Sequence, residues 1–384
     1  GTGKTFQASN AIIELLKQNK KIAITGLSHK VIHNLLQRVE DMAAEKQFKF
    51  NGFKKGNLED DDTIFNGENI KTYEKDPPFM DALKEKNVGN IFAGTKYHLA
   101  NSYYDEKIDY LFIDEAGQLS LADLISIGNI AKNIVLIGDQ NQLGQPIRGT
   151  HPNNSGQSIL EYLLEGKDTI PEDKGIFLNK TYRLNSKINN FISSNFYEER
   201  LICDDRTDKR IIKFNNKSII KKDGIHYIEM KHKNNVQTSI EEFEVVKSLM
   251  KQLIGVEFDD NGKKRKLTAN DFLIISPYNT QVNLLISKLE EEKVKNPRVG
   301  TIDKFQGQEA PIAIISMTSS DSDSLPRNKE FFFNRNRLNV AISRAQVASI
   351  ILFNPNLLDS SPKNLEQIKL MNNFFKFLNY KVQH

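Results

Sequence analysis

Cysteine occurs once among the 384 residues, at Cys203, and tryptophan does not occur at all. One thiol can form no internal disulfide, and it excludes an iron–sulfur cluster or a cysteine-rich zinc site built within the chain. No apolar run approaches the ~20 residues that a membrane-spanning helix needs. No basic start followed by an apolar stretch opens the sequence in the manner of a secretory leader. The expectation is therefore a cytoplasmic, reducing setting with no membrane partner. Arginine is scarce too, at 12 of the 53 cations. Lysine cannot replace the planar guanidinium fork, so the placement of each arginine is informative. Four of the twelve fall in one stretch, at Arg327, Arg335, Arg337 and Arg344.

The 53 basic residues against 49 acidic ones leave a net charge of +4, which permits a nucleic-acid partner without demanding one. The length suggests roughly two or three domains. Short apolar runs alternate with segments of helical period. The runs are Lys21–Thr25, Asn90–Ala93, Tyr110–Ile113, Ile134–Ile137, His226–Glu229, Phe272–Ile275, Ile312–Met317 and Ala348–Phe353. Helices are expected over Thr5–Gln18, Lys30–Ala44, Ala122–Ile130, Lys187–Tyr197, Ile240–Leu253, Thr280–Glu292 and Leu365–Leu378. Such alternation predicts an α/β protein whose parallel sheets are covered by helices. Three polar stretches interrupt it. Asn51–Pro78 reads as an insertion or subdomain on the first sheet with solvated surface, Asp259–Lys266 as a charged hairpin tip, and Ser319–Lys329 as a mobile loop.

Gly1-Thr2-Gly3-Lys4-Thr5 matches the end of the phosphate-binding pattern G-x-x-x-x-G-K-[ST]. Glycines let backbone N–H groups curl around phosphate oxygens at the start of a helix. Lys4 would then reach the β- and γ-phosphates, and the Thr5 hydroxyl would ligate Mg²⁺. The pattern's first residues would precede residue 1, so a chain truncated at its N-terminus is expected. A helix start that merely reads G-K-T is the bland alternative.

Leu111-Phe112-Ile113-Asp114-Glu115 ends an apolar strand in two acids, at the edge where open α/β sheets bind ligands. Asp114 would hold Mg²⁺ and Glu115 would activate the attacking water. An acidic helix cap is the alternative. A second strand ends Ile137-Gly138-Asp139-Gln140-Asn141-Gln142-Leu143, and the Gln142 amide, both donor and acceptor, suits sensing of a γ-phosphate.

These segments resemble the motor motifs of superfamily 1 helicases, in the branch of the nonsense-mediated-decay RNA helicase. Thr25–Leu36 and Ala93-Gly94-Thr95 resemble nucleic-acid-contacting motifs, Asp114–Gln118 the D-E-A-x-Q motif, and Gly138–Leu143 the G-D-x-x-Q-L motif. Thr181-Tyr182-Arg183-Leu184, Ser276–Gln281, Val299–Glu309 and Arg337–Ala345 come next, in family order. Gly117–Ala122, Gln145–Pro152 and Phe305–Pro311 look like bacterial and archaeal proteins that join this motor to a RecB-like nuclease. One departure is clear: most of the branch has two prolines where this chain has Gly144 and Gln145.

The resemblance implies two tandem RecA-like P-loop NTPase domains, here residues 1–165, with an insertion at about 45–90, and 166–384. It implies that Tyr182 packs on adenine, Arg183 reaches the γ-phosphate, Arg344 is an arginine finger, and Gly307 and Glu309 also serve the nucleotide, Glu309 at the ribose. Thr25, Ser28, Thr95, Tyr278, Gln281 and Thr301 become candidate contacts to single-stranded nucleic acid, with DNA favoured over RNA. Arg337 is equally well structural, and Arg327 and Arg335 are loop or backbone-phosphate candidates. The implied activity is ATP- and Mg²⁺-dependent translocation, 5′-to-3′, beside a fused or associated nuclease domain. An ATP-gated clamp and an accessory motor of a nuclease remain as alternatives.

Overall fold

The structure is a computed structural model. It describes residues 1–144, 155–216, 218–321 and 334–359, with isolated helical positions at 368, 372 and 375. These fall into two compact units, 3–176 and 177–384, the second also taking in residues 1–2.

The N-terminal unit is built on six strands: β1 (Ile22–Thr25), β2 (Asn51–Lys55), β3 (Ile70–Tyr73), β4 (Asn90–Ala93), β5 (Ile108–Ile113) and β6 (Ala131–Leu136). They pair in the order β3-β2-β4-β1-β5-β6, all parallel. β1 and β4 are buried along their whole length, as strands covered on both faces must be. The helices are α1 (Lys4–Lys17), α2 (His29–Glu45), α3 (Pro77–Lys84), α4 (Lys96–Leu99), α5 (Leu121–Ile127) and α6 (Ile159–Leu164). Ile12, Ile13 and Leu16 of α1 and Ile32, Leu35, Leu36 and Val39 of α2 pack with Ile22, Ile24 and Phe112 on one face. Phe79, Leu99, Ile127, Ile159 and Leu160 close the other face over Phe92, Leu111 and Ile113.

The polar stretch Asn51–Pro78 differs from its expected character as solvated surface. It supplies β2 and β3 to the main sheet. Its lysine pattern hides the strand because Lys54 is fully buried, its ammonium held by Thr63 O and Lys55 O (both 2.6 Å) and His29 Nδ1 (2.7 Å). Burial lowers the Lys54 pKa to about 8.

The C-terminal unit carries β7 (Lys180–Thr181), β8 (Ile202–Cys203), β9 (Arg210–Ile212), β10 (Gly224–Glu229), β11 (Glu257–Asp260), β12 (Lys263–Lys266), β13 (Phe272–Ile275), β14 (Val299–Gly300), β15 (Ala310–Ser316) and β16 (Ala345–Phe353). Its main sheet runs β10-β16-β15-β13-β14, again all parallel. The helices α7 (Ser186–Phe196), α8 (Ile240–Leu253), α9 (Asn279–Glu291) and α10 (Arg335–Ile342) accompany it. Val246, Leu249 and Leu253 of α8 and Leu285 and Leu289 of α9 pack on Phe272, Ile274, Ile312 and Ile314. The charged hairpin expected over Asp259–Lys266 is present, with β11 and β12 antiparallel and Asn261-Gly262 turning at positive φ. Of the Ser319–Lys329 loop, Ser319 and Ser320 are buried, and residues 322–329 lie outside the described residues. The helix expected at Leu365–Leu378 lies almost wholly outside them as well.

Candidate functional site

In the N-terminal unit, Gly3 stands immediately before α1 with φ 78°, a left-handed conformation that glycine adopts without strain. This turn starts the helix at Lys4 and Thr5, both half-buried. The α1 helix then presents free backbone N–H groups and a positive dipole end at its start. β5 delivers Asp114 and Glu115 beyond its carboxyl end. Asp114 is 8% exposed, and its Oδ1 accepts the Glu115 backbone N–H at 2.9 Å. Burial pushes the Asp114 pKa up to about 6. The Glu115 charge adds to the rise, while the hydrogen bond from Glu115 and the positive charge of Lys4 oppose it. Glu115 itself has φ 54°, a strained left-handed conformation for a residue with a side chain.

The next turn braces this one. The Ala116 N–H donates to Ile137 O at 2.8 Å. A Cβ on Gly117 would stand 2.7 Å from Asp139 O, and one on Gly138 would stand 2.8 Å from Gly117 N. The two turns thus touch backbone to backbone. Asp139 organises the residues after it: its Oδ1 accepts the Asn141 N–H (3.1 Å) and its Oδ2 accepts from Gln142 Nε2 (2.8 Å). Gln142 is therefore held at the turn beside the acidic pair. Gln145 lies outside the described residues.

In the C-terminal unit, Tyr182 is 43% exposed. Its N–H donates at 2.9 Å to the carbonyl of Gly1, which groups with this unit together with Thr2. Arg183 Nε is paired with Glu309 Oε2, and Gln346 Nε2 donates to Glu309 Oε1 at 2.8 Å. Burial pushes the Glu309 pKa up, but Arg183 and Gln346 outweigh it and leave it lowered. Gly307, two residues earlier, has φ 76° and space around its Cα. Arg344 is 2% exposed. Its Nε donates to Val340 O (2.9 Å), and its Nη1 to Gln308 O (3.0 Å) and Phe305 O (3.5 Å). Arg335 donates to Asn195 O and lies 5.0 Å from the Phe196 ring centroid, whereas Arg337 stands 3.5 Å from Asp303. Arg327 lies outside the described residues.

The nucleic-acid candidates divide by exposure. Ser28 is exposed, and its Oγ caps α2 by accepting the Val31 N–H at 3.3 Å. Thr95 and Thr301 are half-buried, each preceding a short helical turn with no side-chain cap bond. Thr25 is 1% exposed at the end of β1, and its Oγ1 has no hydrogen-bond partner among the described residues. Tyr278 is 6% exposed, its hydroxyl 3.3 Å from Ser319 Oγ. Gln281 requires a correction. It is wholly buried, accepting from Ser239 N (2.8 Å) and donating to Ser239 O (3.1 Å) and Ser316 Oγ (3.2 Å). Its amide ties α8 to β15 and is not available to a strand.

A divalent cation fits the acidic pair on its donor chemistry. Asp114 is a desolvated carboxylate whose ionisation is resisted by burial and by Glu115, and a cation would relieve both.

A family model described as an AAA domain matches residues 155–356, more than half of the chain. The chain belongs to this AAA-domain family, among the superfamily 1 helicases. Two of the relatives of this helicase-family chain come from Schizosaccharomyces pombe. The DNA replication ATP-dependent helicase/nuclease dna2 is 28% identical over 97% of this chain and 27% of its own length. The DNA polymerase alpha-associated DNA helicase A is 26% identical over 90% of this chain and 58% of its own length. An uncharacterized ATP-dependent helicase of Methanocaldococcus jannaschii is 29% identical over 76% and 43%. The chain thus spans between about a quarter and three-fifths of these relatives. No helix among the described residues is long and apolar enough to cross a membrane.

Several residues beside these candidates were not singled out by the sequence. Asp139 holds Gln142, and Arg206 lies 5.3 Å over the Tyr182 ring. Tyr97 is 79% exposed beside Lys96, whose ammonium is 5.3 Å from the ring centroid and 2.5 Å from Asp123. The adjacent cation and aromatic at Lys96-Tyr97 were a readable signal. Arg206 had none, because its partner is distant in sequence.

Proposed function

We propose that the protein is a nucleic-acid-dependent ATPase that moves along single-stranded nucleic acid, 5′-to-3′, as a helicase or translocase. The observation that carries the reading is the Asp114–Glu115 turn at the end of β5, within the electrostatic reach of Lys4 and braced by the Gly138–Gln142 turn. Lys4 and the N–H groups at the start of α1 would hold the phosphates of ATP. Thr5 and Asp114 would hold Mg²⁺, which supplies charge neutralisation at the phosphate oxygens when bound. Glu115, half-buried and fixed by its strained backbone, would take the proton of the attacking water. Gln142 would sense the γ-phosphate, Tyr182 would pack on the base, and Glu309 would bond the ribose. Arg183 exchanges its Glu309 partner for phosphate in this reading, and Arg344 stabilises the charge of the transition state.

Ser28, Thr95 and Thr301, with Lys96 and Tyr97, are the groups proposed to meet a strand, Ser28 and Tyr97 being exposed and the other three half-buried. An exposed tyrosine suits the bases of a strand, and a lysine its phosphates. The names of the relatives favour DNA, with an associated nuclease as a further partner.

The test is ATP turnover by the intact protein with and without single-stranded DNA or RNA, together with displacement of a labelled strand from 5′- and 3′-tailed duplexes. Stimulated turnover and displacement from the 5′-tailed duplex are expected. Stimulation without displacement would replace the motor by an ATP-gated clamp, and turnover indifferent to every strand would remove the reading.

A further inference from the structure

Tyr182 is exposed over 43% of its surface, yet its ring is not loose. The Arg206 guanidinium carbon stands 5.3 Å from the ring centroid. Arg206 is set there by Asp204. Its Nε donates to Asp204 Oδ1 at 2.6 Å, its Nη2 to Oδ2 at 3.3 Å, and its own backbone N–H to Oδ1 at 3.1 Å. This forked pairing fixes the guanidinium plane in a way that a single contact would not.

Asp204 is in turn placed by the sheet. β7 and β8 pair Thr181 with Cys203, and the Asp204 N–H extends the ladder to Thr181 O at 2.9 Å. Asp204 is only 8% exposed, has Lys180 3.4 Å away, and has its carboxyl held far below the usual range, chiefly by Arg206. A second arginine secures the backbone. Arg210 Nη1 donates to Tyr182 O (3.2 Å) and Arg183 O (3.0 Å), while its Nε donates to Asp260 (3.2 Å). The ring therefore has a pinned backbone and a locked cation on it, with 43% of the residue's surface left to solvent. That is the arrangement of a stacking platform for a flat, electron-rich ring.

We propose that Arg206, locked by Asp204, is a positioning residue for the purine base of the nucleoside triphosphate, acting by holding Tyr182 as a preset stacking surface. The inference rests on the reading of Tyr182 as the base contact. Arg206 does not touch phosphate, and it lowers the cost of ordering Tyr182 when the nucleotide binds.

The experiment measures steady-state ATP hydrolysis by the intact protein at saturating single-stranded DNA, for Arg206→Ala, Arg206→Lys, Asp204→Asn, Tyr182→Ala and the double variant Tyr182→Ala/Arg206→Ala. Arg206→Ala should raise KM for ATP about fivefold to tenfold with kcat changed by less than about twofold, the pattern of lost ground-state binding. Asp204→Asn should reproduce it and Arg206→Lys should recover part of it. The double variant should be no worse than Tyr182→Ala alone, because the two side chains act as one unit. Competitive inhibition by tripolyphosphate, which has no base, should be the same for Arg206→Ala and the parent. The 65% exposed Arg206 side chain makes a folding defect easy to exclude by an unchanged melting temperature. An unaltered KM in Arg206→Ala, or weakened tripolyphosphate inhibition in step with KM, overturns the proposal. If Tyr182→Ala itself leaves KM unchanged, the base-contact reading fails first and this one with it.

Discussion

The Glu115 backbone N–H donates to Asp114 Oδ1 at 2.9 Å while Glu115 sits at φ 54°. The bond and the left-handed turn fix the backbone that carries the two neighbouring carboxylates. One is 8% exposed with its pKa raised, and the other is half-buried. Glu115→Gln keeps the side-chain volume but cannot take a proton. It should lower kcat by ~10²–10⁴ while ATP still binds, since that is the usual contribution of a positioned general base. Single-turnover hydrolysis beside equilibrium binding of a fluorescent ATP analogue checks this. Undiminished turnover would remove Glu115 as the water-activating group.

Asp114 makes stability depend on pH in a defined window. Its folded pKa, about 6, lies above its ordinary value of 3.8, so the folded protein binds the extra proton between these values. The associated stability is full below about pH 3.8 and is lost as pH rises through about 6. At pH 7.5 in a chelator, Asp114→Asn should therefore be more stable than the parent by on the order of 2–3 kcal/mol. Mg²⁺ should raise the melting temperature of the parent and leave that of Asp114→Asn nearly unchanged. Melting curves of both proteins with chelator and with Mg²⁺ decide it, and equal Mg²⁺ shifts would take Asp114 out of the cation site.

The two glycine turns allow a sharp contrast. Alanine at Gly138 would press a Cβ to 2.8 Å from Gly117 N and 3.0 Å from Ala116 N, and alanine at Gly117 would press one to 2.7 Å from Asp139 O. All three are backbone atoms that cannot swing aside. Each change should cost ~1–3 kcal/mol as overpacking does, and should also displace Glu115 or Gln142 and depress turnover. Gly128→Ala is the control, because its Cβ meets only Ile134 Cδ1 at 3.7 Å. Chemical denaturation and ATP turnover of the three variants give the comparison.

The parts of this fold that could be read from sequence are those where one residue carries the information by itself. β1, β4, β13 and β15 are buried over their whole length, so an unbroken apolar run announces them. The acids beyond β5 and the glycines of the two turns are equally local. β2 was hidden because Lys54 is buried by three hydrogen bonds to groups supplied partly by His29 and Thr63. Gln281 was a candidate strand contact through the resemblance alone, and its burial was hidden because its partners, Ser239 and Ser316, come from other elements. Arg206 was illegible for the same reason: only the β7–β8 pairing brings it to Tyr182. Tertiary partners, not local propensity, decided each case.

Arg344 is held by distant partners too, and they bear on catalysis. With 2% exposure, its guanidinium ties the carbonyl of Val340 in α10 to those of Phe305 and Gln308, which lead into Glu309. Arg344→Ala leaves those buried acceptors unmatched and should cost ~1–3 kcal/mol of stability. A finger role predicts more than that loss. Arg344→Lys retains a cation and part of the hydrogen bonding, so it separates the two effects. If Arg344 also stabilises the transition state, Arg344→Lys should melt within a few degrees of the parent, yet lose ~10²-fold or more in kcat, given the ~10³–10⁵ that such an arginine supplies. KM for ATP should hardly move. A fall in ATP affinity with kcat retained would leave Arg344 as a stitch between α10 and the Phe305–Glu309 turn, and would leave Arg183 as the arginine to test at the γ-phosphate.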